Sequence, residues 1–387
     1  MVTEQKSTWP SIGPFYEEGA EGFRTEEMIL NLGPQHPSTH GVLRLVLKLE
    51  GETVVQCTPV LGYLHRGIEK ILENRPYMGG IRYMDNADYL SPMLNETAFV
   101  GAVEQLMGLE PPRRAQYIRL ITNEMQRIAS HLVGIGTYGL DLGAVTPILW
   151  CFRDREGILS LFEALGGSRF NVNYMRIGGV LHDFPPGWLR RLEQWLDQFE
   201  HHSLPELDGL LTGNEIFEGR TQGVGYIDPQ QAIAYGLTGP CLRASGVSFD
   251  LRVDRPYGAY REIKVNPQVR QEGDAFARYR VRFQEMGESV RLIREALDKL
   301  PGGPISARVP VALRPPRGET YFAVESSKGE LGIYLISDGS EYPYRAKIRG
   351  PSFVNLSILP ELLRGHKISD VIAILGSIDI VLGEVDR

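Results

Sequence analysis

Gly33-Pro34-Gln35-His36-Pro37-Ser38-Thr39-His40-Gly41 lies between two apolar runs, 28–32 and 42–49, and Glu50-Gly51-Glu52 turns the chain into a third, 53–60. Three such runs separated by turn residues read as strands of a small antiparallel sheet, which makes the quoted stretch a hairpin loop. Hairpin loops usually take about two to five residues, so this one is long. Pro34 and Pro37 each fix φ and remove a backbone donor, which stiffens it. A stiff loop that offers two imidazoles, His36 and His40, is a place for proton chemistry. The alternative is a decorated hairpin whose histidines only hydrogen-bond to backbone.

Outward from the hairpin the period changes. A helical pattern covers 63–74 and ends before Pro76. From 83 to 166 the pattern is helical with few breaks, and Ile118, Ile121, Met125, Ile128, Leu132 and Ile135 form a seam spaced by threes and fours, opened by Pro111 and Pro112. A second seam, Phe276, Tyr279, Phe283, Met286, Val290, Ile293 and Leu297, stops at Pro301-Gly302-Gly303-Pro304. With a third helix around 153–165 and another over 185–211, these stripes predict an antiparallel bundle. Alternation returns at 320–325, 331–337 and 344–349 as strands, and a short helix is expected over 370–375. The expected class is α+β, a central antiparallel helical bundle with small antiparallel sheets near both termini. The expected parts are an extended N-terminal arm over 1–27, a sheet over 28–60, a bundle over 61–304 with a loop-rich 212–270, and an α/β region over 305–387 completing the same fold.

Composition narrows the function. The 387 residues are 42% hydrophobic and 23% charged, ordinary for a globular protein, and the net charge of -7 argues against a nucleic-acid partner. No apolar run is long enough to cross a bilayer, and no signal or transit peptide is legible. Cys57, Cys151 and Cys241 form no C-x-x-C pair, so this chain cannot hold an iron–sulfur cluster with its own thiolates; they read as small buried apolar residues. No metal site is expected from the eight histidines. Gly134-Ile135-Gly136-Thr137-Tyr138-Gly139 fits G-x-G-x-x-G, but it follows a helical seam rather than a strand, so it reads as a helix end and not a nucleotide site.

The hairpin stretch with Val42-Leu43-Arg44-Leu45 resembles the hallmark of the quinone-site subunit of respiratory complex I, the NADH-quinone oxidoreductase, a family related to the large subunits of nickel–iron hydrogenases. Gly62-Tyr63-Leu64-His65-Arg66-Gly67-Ile68-Glu69-Lys70, Asp88-Tyr89, Asn123-Glu124 with His131-Leu132, and Asp141-Leu142-Gly143-Ala144 are similar to that family. So are Arg176-Ile177-Gly178-Gly179-Val180, Leu242-Arg243-Ala244-Ser245-Gly246, Pro351-Ser352-Phe353-Val354-Asn355, and the tail from Gly376-Ser377-Ile378-Asp379 to Gly383-Glu384-Val385-Asp386-Arg387. They run in family order from about residue 28 to the end.

The resemblance implies a fold like the nickel–iron hydrogenase large subunit, with the old metal pocket turned into a quinone cavity. It implies a neighbouring small iron–sulfur subunit carrying the terminal 4Fe-4S cluster, other peripheral-arm subunits, and a membrane subunit forming the quinone channel. The quinone is substrate, and this chain binds no cofactor alone. On this resemblance Tyr89 and His40 protonate the quinone with Asp141 paired to His40, His36 lines the quinone site, and Arg66, His65 and Asn171 face the partner's cluster. The activity implied is that of an NAD(P)H:quinone oxidoreductase-type proton-pumping translocase, absent from the chain alone, peripheral on the cytoplasmic side of a prokaryotic membrane. From the residues themselves Tyr89 also fits a core tyrosine, Asp141 a helix cap, and Arg66 a salt bridge to Glu69 or Glu73. The other function readings are a subunit of a hydrogenase-related membrane complex and a structural scaffold. Two positions depart from the family: many relatives carry arginine at Asn86 and histidine at Asn171. The segment 304–316 is also shorter than usual.

Overall fold

The first three apolar runs form β1 (Glu27–Leu32), β2 (Arg44–Glu50) and β3 (Thr53–Val60), an antiparallel sheet in that order, in a computed structural model that describes residues 27–36 and 41–387. Alternation decides which face is buried: Leu45, Leu47 and Leu49 point into a core shared with Leu359, Leu363 and Ile374, while Arg44, Val46 and Lys48 alternate with them on the less buried side. The expected arm falls almost wholly outside the described residues, as does the part of the hairpin loop that holds His40.

The helical pattern over 63–74 is shorter than expected. Only α1 (Ile68–Leu72) is helical, because Gly67 takes φ 65 and the preceding residues are bonded elsewhere. There follow α2 (Tyr77–Met84), α3 (Pro92–Met107), α4 (Arg113–Asp141) and α5 (Thr146–Gly166). The first seam is the buried stripe of α4, which packs against α5 and later elements. Gly134, Gly136 and Gly139 lie inside α4 rather than ending it. They permit close packing: a Cβ at Gly136 would come within 3.2 Å of the Ile148 backbone.

After the small hairpin of β4 (Met175–Arg176) and β5 (Gly179–Val180), the expected helix over 185–211 occurs as α6 (Trp188–Gln198), a π turn (Phe199–Ser203) and α7 (Leu204–Leu211). Pro205 supplies no amide hydrogen, and the wider π turn before it accommodates that loss. The 212–270 segment is less loop-like than its glycines suggest: α8 (Glu215–Thr221), α9 (Pro229–Ala234), α10 (Pro240–Arg243) and α11 (Leu251–Asp254) punctuate it, with a 3-10 turn at Gly258–Arg261. The second seam is α12 (Ala275–Asp298), packed on α4.

The C-terminal sheet is β6 (Gly318–Ser326), β7 (Gly329–Ser337) and β8 (Arg345–Arg349), antiparallel in that order and packed on α3. The chain ends in α13 (Pro351–Leu356), α14 (Leu359–Leu363), α15 (Ile368–Ile378) and α16 (Leu382–Asp386). The class is α+β. Among the described residues no helix is long and apolar enough to cross a membrane. Cys57, Cys151 and Cys241 are all buried, and burial pushes the thiols of Cys57 and Cys151 up to about 12, so they pack as apolar groups.

One tight crossing gives a stability prediction. A Cβ at Gly179 would sit 2.1 Å from the Ile305 carbonyl oxygen, a backbone atom that cannot rotate away. Gly179→Ala is expected to cost about 1–3 kcal/mol, read as a lowered midpoint in thermal or chemical denaturation.

Candidate functional site

The C-terminal turn gathers segments far apart in sequence. The Asp386 carboxylate accepts the N–H groups of Gly62 at 2.9 Å and Leu64 at 2.7 Å. His65 Nδ1 lies 2.7 Å from the Asp386 carbonyl, which can only accept, so that nitrogen carries the hydrogen. The Arg66 N–H donates to the Arg387 carbonyl at 3.2 Å. The Arg66 guanidinium donates to the Asn86 carbonyl rather than to Glu69 or Glu73, which pair with Arg345. Gly383 lies so close to the Ala87 carbonyl that a Cβ there would stand 2.6 Å from it. The α16 turn is therefore seated on the segment leading to Tyr89.

Tyr89 is half-buried at the start of that contact. Burial first, then the Asp88 charge, raise its phenol pKa, with Lys328 and Arg66 opposing, so it stays a proton donor at neutral pH. Behind it lies a buried charged cluster. Asp88 Oδ2 is 3.4 Å and Asp379 Oδ2 3.9 Å from the Lys328 ammonium, which also donates to the Ser130 hydroxyl at 3.0 Å. Asp379 holds the left-handed φ of 59 at the end of α15, a conformation that favours glycine and costs about 1–3 kcal/mol elsewhere. That turn aims its carboxylate at Lys328 and at Arg282, 3.5 Å away. Glu384 on α16 completes the group, buried and bonded to the Ser352 N–H at 2.8 Å.

The other expected site residues are distributed around this cluster. Asp141 is the last residue of α4. A Cβ at Gly376 of α15 would stand 2.7 Å from the Tyr138 ring and 3.7 Å from Asp141 Oδ2, which puts Asp141 against the helix that ends in Asp379. His36 forms an isolated backbone bridge with Gly41. His40, the expected partner of Asp141, lies outside the described residues. Asn171 and Asn86, the two departures, meet each other, Nδ2 to Oδ1 at 3.4 Å. Asn171 takes φ 54, which asparagine tolerates, and Glu96 Oε2 accepts the N–H groups of Tyr174 and Met175 to fix its loop.

A second charged cluster, wholly buried, lies in the bundle. Arg243 donates to Glu285 at 2.7 Å and to Glu325 at 2.8 Å, and lies 3.6 Å from Asp250; Arg252 joins Asp250 to Glu124. Burial opposes ionisation of Glu124, but the guanidiniums of Arg127 and Arg252 and the hydroxyls of Ser289 and Tyr260 outweigh it and hold the carboxyl down at about 2. A carboxylate depressed in this way contributes stability above its unfolded value, and that stability is lost as pH falls from about 4.5 toward about 2. Acid unfolding of the chain is expected in that window, with a shallower pH dependence in Glu124→Gln.

Among the described residues no group of three histidines, cysteines or acids is placed to hold a metal ion.

A family model described as respiratory-chain NADH dehydrogenase, 49 Kd subunit, matches residues 141–313 and 308–387. The chain is 53% identical to the D-type subunit of NADH-quinone oxidoreductase from Desulforamulus reducens, over 94% of this chain and 99% of that protein. The chain belongs to this family of complex I subunits. Proteins of the same name from Clostridium beijerinckii and Geobacillus thermodenitrificans are 50% and 52% identical, again over 94% of this chain. As a member of the complex I family, it is a subunit of a multisubunit oxidoreductase. The segments quoted from the sequence as family-like include those that converge at Tyr89: residues 62–66, 88–89 and 376–387. Lys328 forms ion pairs with Asp88 and Asp379, a grouping that sequence reasoning does not find even though Asp379 lies in a family-like segment. The one local signal is an aspartate after Ile378, where a helix end commonly carries glycine.

Proposed function

We propose that this chain is the quinone-binding subunit of a proton-pumping complex I-type enzyme, in which electrons from a 4Fe-4S cluster of the neighbouring small iron–sulfur subunit reduce the quinone. The observation that carries this reading is the half-buried phenol of Tyr89, kept protonated beside the buried Lys328 ammonium. Its O–H donates to one quinone oxygen as negative charge develops there, and the nearby cation stabilises that charge. His40, held by Asp141, serves the other oxygen, with His36 lining the approach. Arg66, His65 and Asn171 face the cluster. The quinone enters through a membrane subunit, and the chain sits peripherally on the cytoplasmic side of a prokaryotic membrane with the other peripheral-arm subunits. The names of the relatives support both the donor class and the acceptor class.

Quinone reductase activity of the assembled complex tests this reading. Tyr89→Phe is expected to remove most of it, whereas a scaffold subunit would keep the full rate. A second expectation concerns the Asn86–Asn171 pair. Neither amide titrates, so the potential of the partner's cluster is expected to change little with pH. Redox titrations at several pH values with a slope of one proton per electron would contradict this.

A further inference from the structure

A guanidinium keeps its proton in proteins, so burying one is costly unless an acid meets it. Arg119, Arg127, Arg243 and Arg252 are buried and each has such an acid: Glu104, Glu124, Glu285 and Asp250. Arg155, in the middle of α5, has none. It is only 8% exposed, its Nε is buried without a hydrogen-bond partner, and no carboxylate pairs with it among the described residues. The neighbouring acids are engaged elsewhere. Asp154 meets Arg153 at 3.1 Å and the Ser203 hydroxyl at 2.8 Å, while Glu156 and Glu163 both pair with Arg169. The Arg155 guanidinium lies 5.9 Å from the centre of the Phe152 ring.

Phe152 belongs to a bare apolar stripe. Val145, just before α5, and Leu149 and Phe152 within it are exposed at i, i+4 and i+7, successive turns of one helix face. Glu156 and Glu163 continue that face, and through them Arg169 ties the loop after α5 back onto the helix. Two residues beyond Arg169 stands Asn171, which the proposed function turns toward the partner's cluster. We infer that this face of α5 is where the small iron–sulfur subunit docks, and that a carboxylate of that subunit enters beside Phe152 to pair with Arg155. Arginine and aromatic anchors surrounded by water-excluding apolar contacts are the usual centre of a binding surface. Arg155 and Phe152 are the anchors here, and Val145 and Leu149 are the apolar contacts. This placement rests on the reading above that such a subunit delivers the electrons; it adds where the two chains meet and which charge the partner brings.

The test uses Arg155→Met and Arg155→Glu in two settings, the full chain expressed alone and the complex purified through a tag on this chain. Alone, the guanidinium has no acid to lose, so Arg155→Met is expected to leave the denaturation midpoint at or above the wild-type value. In the complex, Arg155→Glu is expected to weaken the hold on the small iron–sulfur subunit at least about tenfold, read as the ratio of that subunit to this chain after washes of rising salt. Arg155→Met is expected to lower the same ratio by less. A midpoint lowered by Arg155→Met would assign the guanidinium to this chain's own fold and overturn the inference. So would wild-type retention in Arg155→Glu, or loss of the membrane subunit in place of the small one; if the glutamate variant does not fold, wild-type retention in Arg155→Met overturns it. Absence of the small subunit from the wild-type complex, or full quinone activity in Tyr89→Phe, would instead remove the functional reading itself, so the two failures are distinguishable.

Discussion

Arg243→Met is expected to strip the chain of a large share of its stability. The guanidinium is wholly buried and balances Glu285, Glu325 and Asp250, each of them buried as well. Methionine fills similar volume but supplies no charge and no donors, so these carboxylates lose their shared partner and the Phe249 carbonyl loses its hydrogen bond. Removing one member of such a buried group typically costs about 3–5 kcal/mol, against a total stability of about 5–15 kcal/mol for a domain. The α10 turn that carries Arg243 also loses its tie to α12 and β6. Arg294, on the outer face of α12, offers the contrast. It pairs with Asp197 and Glu200 in a half-exposed setting, and its replacement is expected to cost less than about 1 kcal/mol. Soluble yield and chemical denaturation of the two variants check the pair of expectations; equal behaviour would show that the buried group is not what holds these elements together.

Tyr89→Phe is expected to leave folding and assembly intact and to reduce quinone turnover by about two orders of magnitude or more, the range usual for losing a positioned general acid. The ring still fills its half-buried place, so stability is a poor readout and rate a good one. Electron transfer from the donor side to an artificial acceptor that bypasses the quinone is expected to stay at the wild-type rate. A full quinone rate in the phenylalanine variant would remove the phenol from the chemistry.

The two predictions draw on different layers of information. Local pattern alone gives the period-2 runs that become β1, β2 and β3, and the three-four spacing that becomes the buried stripes of α4 and α12, because side-chain direction repeats with the backbone. The same local reading fails where distant residues decide. It extends α1 too far, since residues 62–65 are held by Asp386 from the far end of the chain, and it misassigns the partner of Arg66. It treats Gly134, Gly136 and Gly139 as a helix end, although helix-to-helix packing requires small residues there.

By itself the sequence determined the α+β class, the helical seams, and, through motifs in family order, the residues Tyr89 and Asp141 as site candidates. Only the tertiary structure decided that Lys328, Asp379 and Glu384 stand behind Tyr89, that Asn86 meets Asn171, and that Arg243 balances three buried acids. The physical reason is that burial and charge pairing are properties of what surrounds a side chain, and those neighbours come from turns of the chain that no local period encodes.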